Sequence, residues 1–374
     1  MKVLVTGAKG FIGRNLSLAL GHLPNVEVLK YDISDQVGDN EVLYKFLDES
    51  EFVFHLAGVN RPKDVSDFAK GNKVFTEDIL QRLALKKNPP PVLFASSIQA
   101  ALDNEYGKSK LAAEEALKRY AEKTQAQVFV YRLANVFGKW ARPNYNSAVA
   151  TWVHNIARDL PIEVRDESAE VTLVYIDDVV NSFIKCLQEE RSAPFSIRHI
   201  EPSYTKTLGQ IVSLIRSFRN ETGNLFVPNQ VDCFEKKLYA TYLSALPEDG
   251  FSYPLLTHRD ERGSFTEILH TVERGQVSVN VSKPGITKGQ HWHNTKHEKF
   301  LVVSGKGEIN FRVADDPSAK VISYKVSSEN LEVVRIPPGY THNIVNVGAT
   351  DMVTVMWANE VFDPQNPDTF RLEV

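Results

Sequence analysis

Two side chains capable of acid–base chemistry, Tyr106 and Lys110, stand four positions apart in a segment rich in Ala, Glu and Leu. Residues four apart share one face of a helix, so both can approach the same bound molecule. Reduction of a ketone requires a hydride and a proton for the developing alkoxide. A free tyrosine, with a pKa of about 10, donates protons slowly near neutral pH, and a neighbouring ammonium lowers that pKa. The pair therefore predicts a site in which Tyr106 is the acid and Lys110 tunes it.

A hydroxyl group precedes this helix. The apolar run at residues 92–95 predicts a strand, and it ends at Ser96 and Ser97. We expect the Ser97 hydroxyl to hydrogen-bond the substrate carbonyl. Ser96 is the alternative, because only eight residues separate Ser97 from Tyr106. A tyrosine and a lysine at this spacing also occur on ordinary surface helices. The pair gains its meaning from the chain around it.

Three glycines near the N-terminus, Gly7, Gly10 and Gly13, lie between an apolar run at residues 3–5 and a helical pattern. A chain that leaves a strand and enters a helix through glycines can bring backbone N–H groups to a pyrophosphate at the positive end of the helix dipole. The alternative is an ordinary Gly-rich turn. The strand before and the helix after favour a nucleotide site.

The stretch TGAKGFIG, the Ser-Ser strand end and the Tyr106–Lys110 pair together resemble the extended short-chain dehydrogenases/reductases that act on nucleotide sugars. The resemblance implies a Rossmann-type, doubly wound α/β parallel sheet over residues 1–245, with a small substrate lobe and NADPH as cofactor. It implies Tyr106, Lys110 and Ser97 as catalytic residues. The cofactor-binding residues that it implies are Gly7, Gly10, Phe11, Ile12, Gly13, Asp32, Leu56, Ala57 and Lys110.

The choice between NAD and NADP depends on the end of the second predicted strand. Asp32 there favours NAD, because an acidic residue accepts a hydrogen bond from the adenosine ribose, whereas NADP needs a basic residue for its 2′-phosphate. Residues 32–35 are also candidates for the adenine-contacting acidic motif of the family. Lys9 and Arg14 flank the glycines and are placed to reach a 2′-phosphate. We expect NADPH, since the sugar reductases that the chain resembles mostly use it.

Composition limits the classes of partner. The 374 residues predict two domains, and the formal net charge of −4 gives no general attraction to nucleic acid or anionic membranes. Two cysteines provide no disulfide framework. The sequence shows no leader and no apolar run approaching the ~20 residues that span a bilayer. We expect a cytoplasmic protein without a nucleic-acid partner or membrane insertion.

The pattern of the chain changes after the first domain. Apolar spacing over residues 204–219 predicts an amphipathic helix of the substrate lobe, but helical periodicity disappears from about residue 250. Short runs rich in Val, Ile and Phe, separated by Gly, Pro and Asn, predict an all-β jelly-roll barrel over residues 250–374. The predicted strands are 276–282, 299–303, 307–313, 320–326, 331–336, 344–347 and 352–357.

This second domain resembles the cupins. The spacing of Gly285, His291, His293, Glu298 and Gly305 matches the first cupin motif, and the segment from Pro337 through His342 to Asn346 matches most of the second. His291 and His293 alternate onto one face of a strand. With Glu298 and His342 they give three imidazoles and a carboxylate, which suits Zn²⁺ or another divalent metal. Whether the metal acts in catalysis or only staples the barrel stays open.

Residues 258–267 resemble the opening segment of the sugar epimerases that act on 4-keto-6-deoxy nucleotide sugars, which are themselves cupins. Lys288 to His291 lie where those enzymes place the segment with their catalytic histidine. A 4-ketone acidifies the proton on carbon 3, so that a base can remove it and reprotonation on the other face inverts that centre. If His291 binds metal it is not free to act as that base, and the base is unassigned.

The order of the two domains resembles a family of bifunctional enzymes that make bacterial capsular polysaccharide precursors. The resemblance implies that the cupin epimerises carbon 3 of a UDP-linked 2-acetamido-2,6-dideoxy-4-keto-hexose. The first domain then reduces the 4-ketone with NADPH to UDP-2-acetamido-2,6-dideoxy-L-talose, on the route to N-acetyl-L-fucosamine. We expect a homodimer. The alternative is an NAD-dependent nucleotide-sugar 4-epimerase with the cupin as a non-catalytic dimerisation module.

Overall fold

The structure, a computed structural model, describes residues 1–33, 40–62, 64–190, 193–251, 253–294, 296–314 and 316–374. The chain divides into two compact units. The first contains residues 1–215 and 237–246, and the second contains residues 216–236 and 247–374. Residues 216–236, which the sequence pattern placed with the first domain, therefore pack with the second unit.

Strands and helices alternate over the first 246 residues. The strands are β1 (Lys2–Thr6), β2 (Glu27–Tyr31), β3 (Phe52–His55), β4 (Val92–Ser97), β5 (Val128–Leu133), β6 (Asn135–Phe137), β7 (Glu170–Tyr175), β8 (Phe195–Arg198) and β9 (Ser203–Thr207). The helices are α1 (Phe11–Gly21), α2 (Glu41–Glu49), α3 (Ser66–Phe68), α4 (Phe75–Leu83), α5 (Glu105–Thr124), α6 (Ala148–Ile156), α7 (Ile176–Lys185), α8 (Leu208–Arg219), α9 (Glu221–Asn224) and α10 (Cys233–Leu243).

A parallel sheet forms the centre of the first unit, with strand order β2-β1-β3-β4-β5-β8 in the described chain. Its strands are apolar on both faces because helices cover both. Val3 and Val5 pack on one side with residues of α1 and α7, while Leu4 packs on the other with α2, α4 and α5. The predicted doubly wound parallel sheet is confirmed.

The chain after this sheet departs from the predicted helix in one segment. Residues 204–207 belong to β9, which pairs antiparallel with β7, and the helix begins only at Leu208. The sequence of β9, Ser-Tyr-Thr-Lys-Thr, contains two β-branched threonines and an aromatic residue, which favour a strand. Pairing with β7 therefore makes residues 204–207 a strand, and the helical spacing applies only to the residues that follow.

The second unit is built from β-strands after residue 250. They are β10 (Thr257–Asp260), β11 (Gly263–Thr271), β12 (Gly275–Ser282), β13 (Thr287–Trp292), β14 (Glu298–Ser304), β15 (Lys306–Val313), β16 (Ile322–Ser327), β17 (Val333–Ile336), β18 (Tyr340–Asn346), β19 (Met352–Ala358) and β20 (Phe370–Arg371). All seven predicted strands are present. Strands β10, β11, β13 and β20 were not predicted, because their polar residues give no apolar run.

Two antiparallel sheets make up this unit in the described residues, with strand orders β10-β11-β12-β19-β14-β17 and β16-β15-β18-β13-β20. Inward side chains of both sheets, among them Phe300, Ile309, Ile336 and Ile344, form its buried apolar core. The predicted all-β second domain is confirmed. None of the helices in the described ranges has the length and apolar character needed to cross a bilayer.

Candidate active site and metal centre

The first turn of α5 carries the predicted acid. Asn104 caps this helix by accepting a hydrogen bond from the Gly107 amide, 2.8 Å away, and Tyr106 lies between them. A Cβ atom at position 107 would lie 2.2 Å from the Gln99 carbonyl oxygen. Glycine therefore lets the helix start close to the turn that follows β4. This packing brings Tyr106 beside Ser97 at the end of that strand.

The two candidate serines have different partners. Ser97 is hydrogen-bonded to the Tyr106 phenol. Ser96 instead donates its hydroxyl to the buried Glu114 carboxylate at 2.5 Å, and Arg132 pairs with the same carboxylate at 2.7 Å. The structure therefore brings Ser97, and not Ser96, to the phenol.

Lys110 lies one helical turn beyond Tyr106 and is only 5% exposed. Its ammonium donates to the Ala95 carbonyl oxygen at 3.0 Å and stands 4.7 Å from the centre of the Phe94 ring. Burial lowers the pKa of Lys110 to about 8, although the nearby Glu114 charge opposes this shift. The ammonium therefore stays largely charged at neutral pH inside an apolar region, where a backbone carbonyl, a ring face and the Glu114 charge compensate it in part.

The pKa of Tyr106 does not follow the expected direction. Burial raises the pKa of the phenol, and the hydrogen bond with Ser97 lowers it only in part. The expectation that Lys110 lowers this pKa is wrong for this arrangement, because the ammonium is directed at Ala95 and Phe94. A raised pKa keeps the phenol protonated at neutral pH.

Asn72 is a site residue that the sequence pattern missed. It is buried in a π-helical turn, Ala69–Val74, a feature often found at functional sites. Its amide exchanges two hydrogen bonds of 2.9 Å with the Val59 backbone and donates a third to Ser109 of α5. A Cβ atom at Gly58 would lie 2.8 Å from the Asn72 side-chain oxygen and 3.1 Å from the Lys110 nitrogen. Asn72 therefore fixes the loop after β3 against the helix of Tyr106 and Lys110.

The glycine loop packs against the same end of the sheet. Gly7 has a φ of +68°, and a Cβ atom there would lie 2.8 Å from the Ala57 nitrogen. A Cβ atom at Gly13 would lie 2.1 Å from the Gly7 carbonyl oxygen. Only glycine fits at either position. The loop thus leads directly into α1, which begins at Phe11 and Ile12, beside Leu56 and Ala57 after β3.

Asp32 follows β2 beside this loop. Its carboxylate accepts a hydrogen bond from the Lys9 backbone at 3.2 Å. The Arg14 guanidinium lies 5.0 Å from the centre of the Trp140 ring. Ser34 and Asp35 of the predicted adenine-contacting segment lie outside the described residues. The predicted cofactor residues thus meet at the carboxyl ends of β1, β2 and β3, where nucleotides bind in such sheets.

The four predicted metal ligands converge in the second unit. One nitrogen or oxygen atom from each of His291, His293, Glu298 and His342 lies within 4.8 Å of the others. Strand β13 ends just before His293, Glu298 begins β14, and His342 lies in β18. A β-bulge between Gly289 and His291 shifts the register so that His291 faces His342.

The electrostatics of this cluster suit a cation. Burial lowers the pKa of His291 to about 4, so its imidazole is neutral. Burial raises the pKa of Glu298, but the facing His293 and His342 imidazoles outweigh it and hold that pKa below its usual range. The Glu298 carboxylate lies 3.4 Å from the Nε2 atom of each of these histidines. Among the described residues, neither of these Nε2 atoms nor Glu298 Oε2 has a hydrogen-bond partner. Imidazole nitrogens around a buried carboxylate are the donors that a divalent metal takes.

A cavity of about 160 Å³ opens beside Glu298 inside the second unit. Charged and polar groups line it together with aromatic side chains: Glu267, Gln276, Ser278, Lys296, Trp357 and Phe362. The sequence held a signal for this cavity. In β12 the residues Gln276, Ser278, Asn280 and Ser282 are buried, while the valines between them face outward. Polar residues on the inward face of a strand indicate a cavity that receives a polar ligand.

Both units match known protein families. Residues 3–197 match the NAD dependent epimerase/dehydratase family, and residues 258–370 match the polysaccharide biosynthesis C-terminal domain. A UDP-2-acetamido-2,6-beta-L-arabino-hexul-4-ose reductase of Pseudomonas aeruginosa is 46% identical over the whole chain and 99% of its own length. The crystal structure of the capsular polysaccharide assembling protein CapF from Staphylococcus aureus has 47% identity, a TM-score of 0.92 and full coverage of both chains.

The fold of the first unit extends to more distant proteins. A UDP-glucuronic acid 4-epimerase from Bacillus cereus matches at 19% identity and a TM-score of 0.56, covering 66% of this chain and 99% of its own. At that identity the likeness concerns the fold.

We predict that the burial of Lys110 makes stability depend on alkaline pH. Between about pH 8 and the ordinary lysine pKa of 10.5, the unfolded chain holds more protons, so the stability of the native protein rises with pH. Lys110→Met removes this gain. The stability advantage of the variant over the native protein should therefore shrink from pH 7 to pH 10, by up to about 3 kcal/mol. Urea unfolding followed by circular dichroism measures it.

The control is Lys118→Met, an exposed lysine on the same helix, whose effect should not change with pH. An equal effect of Lys110→Met at both pH values would contradict the prediction.

Proposed function

Since this chain belongs to the NAD dependent epimerase/dehydratase family and, along its whole length, to the family of CapF, we propose that it is a bifunctional nucleotide-sugar enzyme of capsule precursor synthesis. The family resemblance stated from the motifs is thereby confirmed. The observation that carries the proposal is that one chain holds both a Tyr–Lys–Ser site beside a glycine loop and a buried His₃Glu cluster beside a polar cavity.

The proposed substrate is a UDP-linked 2-acetamido-2,6-dideoxy-4-keto-hexose. A relative 46% identical to this chain is named a reductase of such a sugar, which supports the 4-ketone as the reacting group. The second unit first inverts carbon 3, whose proton the neighbouring ketone acidifies. The first unit then reduces the ketone to give UDP-2-acetamido-2,6-dideoxy-L-talose, on the route to N-acetyl-L-fucosamine.

In the reductase site the bound nicotinamide cofactor supplies the hydride. Tyr106, kept protonated by its raised pKa, gives its phenolic proton to the oxygen that was the ketone. Ser97 hydrogen-bonds both the phenol and that oxygen, which aligns the acid with the developing charge. Lys110, one helical turn beyond the phenol, would hold the cofactor ribose. The loop of Gly7, Gly10 and Gly13 accepts the pyrophosphate.

The proposed metal is Zn²⁺, held by His291, His293, Glu298 and His342. The unpartnered buried atoms of His293, Glu298 and His342 and the mixed nitrogen and oxygen chemistry of the four ligands support it. A metal there neutralises the buried carboxylate and adds positive charge beside the cavity that we assign to the sugar. Glu267 and Lys296 line that cavity, and we assign them to the surroundings of the bound sugar.

Replacement of the acid should separate the two activities. Tyr106→Phe removes the proton donor, so the rate of NADPH oxidation with the 4-keto sugar should fall by about 10²- to 10⁴-fold. Deuterium uptake from D₂O at carbon 3, followed by proton NMR without cofactor, should be unchanged because it belongs to the other unit. Tyr44→Phe, which loses only a hydrogen bond to Asp78, is the control. Near-normal reduction by Tyr106→Phe would remove this residue from the mechanism, and absence of net NADPH consumption by the native enzyme would favour a 4-epimerase.

Zinc should stabilise the protein through the four ligands. At a free Zn²⁺ concentration 100 times the dissociation constant, the chelator-treated protein should gain about 2.7 kcal/mol. For a unit of this size, that gain corresponds to a rise in Tm on the order of 10 °C. His342→Gln should abolish the rise, whereas His258→Gln, an exposed histidine outside the cluster, should keep it. Calorimetric scans with and without Zn²⁺ measure it, and an equal rise in both variants would place the metal elsewhere.

We propose NADPH rather than NADH, on the strength of the positive charges of Lys9 and Arg14 beside the glycine loop. Arg14→Met should then lower kcat/KM for NADPH by about 10- to 100-fold, the worth of a charge-assisted hydrogen bond to phosphate, and leave that for NADH unchanged. Arg119→Met, an exposed arginine on α5, is the matched control. Equal kcat/KM values for the two cofactors in the native enzyme would contradict the proposal.

A further inference from the structure

The last seven residues of the chain run along the strand that carries His291. Strand β20 pairs antiparallel with β13, with Arg371 opposite His291 and Phe370 opposite Trp292. The rings of Trp292 and Phe370 lie 5.0 Å apart, and the Leu372 amide donates to the Gln290 carbonyl at 3.0 Å. Within this carboxyl-terminal tail, residues 368–374, Phe370–Arg371 therefore form the edge strand of the sheet beside the ligand cluster.

Asp368, at the start of the tail, contacts the loop between two ligands at three points. Its backbone oxygen accepts a hydrogen bond from His293 Nδ1. Its carboxylate accepts from the Asn294 amide at 2.9 Å and from the Lys296 amide at 2.8 Å. These three bonds span the segment that leads from His293 to Glu298. Asp368 thus fixes the distance and orientation between these two ligands.

The contact with His293 also decides which ring nitrogen carries the proton. A backbone carbonyl oxygen only accepts hydrogen bonds, so His293 Nδ1 must be the donor. In the neutral ring Nε2 then carries the lone pair, and this atom lies 3.4 Å from the Glu298 carboxylate. The imidazole therefore presents the tautomer that binds a metal through Nε2.

The far end of the tail is hydrogen-bonded to the residue next to a third ligand, His342. Thr341, adjacent to His342, donates its hydroxyl to the Leu372 carbonyl at 2.5 Å. Arg312 donates to the Glu373 carbonyl at 2.6 Å, and the Val374 amide donates to the Gln290 side chain at 3.0 Å. The tail is thus bonded next to His291, at His293 and next to His342, although none of its own residues is among the four ligands.

We propose that Asp368, with the carboxyl-terminal tail, is a positioning residue that orders the ligand cluster for its metal. This inference rests on the metal site proposed above. Hydrogen-bond partners of metal-bound histidines typically change metal affinity by 10- to 100-fold when they are removed, because they set ring orientation and tautomer. Asp368 contacts His293 directly through its own backbone oxygen. It acts on Glu298 through its carboxylate, which holds the backbone of the intervening loop.

The test compares full-length Asp368→Ala, Asp368→Asn and Asp363→Ala with the native protein. Asp363 also accepts a backbone hydrogen bond, from Gln365 at 2.8 Å, but none from the loop of the ligands, so it is the matched control. Competition with a chromophoric chelator measures the dissociation constant for Zn²⁺. The visible absorption of the Co²⁺-substituted protein reports ligand geometry. Calorimetry gives the Tm of the chelator-treated and zinc-loaded forms.

Asp368→Ala keeps the backbone oxygen that accepts from His293 but removes both carboxylate contacts with the loop, so it should weaken Zn²⁺ binding by about 10-fold and alter the Co²⁺ spectrum. Asp363→Ala should match the native protein. Asp368→Asn keeps one carbonyl acceptor, so it should lie between the two, and it carries the test if Asp368→Ala fails to fold. Affinities within twofold of native, or equal losses of Tm in both forms at native affinity, would overturn the inference. A native protein that binds no Zn²⁺ would instead overturn the metal site itself.

Discussion

The Lys110 ammonium lies inside the first unit, held by the Ala95 carbonyl and the Phe94 ring, and the rest of the reductase site is arranged around this buried charge. A buried ammonium loses its hydration, which costs free energy unless the surrounding groups compensate. The structure compensates only in part, as the lowered pKa of Lys110 shows. Gly58 has no side chain and so leaves space for the ammonium beside the loop after β3. The Asn72 side chain borders this space.

The second unit contains a similar conflict of opposite sign. Glu298 is a buried carboxylate within a cluster of three imidazoles, and two of these, His293 and His342, have buried nitrogen atoms without a hydrogen-bond partner among the described residues. An apolar core alone would not retain such a group, since each unpartnered buried polar atom lowers stability. The rings of Phe300 and Phe311 in the apolar core lie 6.1 and 6.4 Å from the ring of His342, between ring centres, so this ligand packs against the core. Apolar packing thus stabilises a polar arrangement that by itself would open to water.

In both units, backbone features bring the groups of the site closer together than regular structure would allow. Glycines at positions 7, 13 and 107 bring backbone groups nearer than any Cβ atom would allow. In the barrel, a β-bulge at Gln290 turns His291 toward His342. Local propensity disagrees with the fold mainly at such places, which is expected where function sets the geometry.

By itself the sequence determined the two folds and indicated the residues for which we propose chemical roles. Apolar runs in the first unit predicted a parallel sheet, seven of the β-strands in the second were visible as apolar segments, and the Tyr106–Lys110 pair and the four ligands followed from spacing within short segments. The tertiary structure decided what depends on contacts between distant segments. In the folded chain Ser96 bonds Glu114, Ser97 bonds Tyr106, and burial raises the pKa of the phenol. Asn72 is hydrogen-bonded to Val59, and Asp368 is hydrogen-bonded to the loop between the ligands. Such contacts join residues many positions apart, and burial and strand register, which fix them, exist only once the chain is folded.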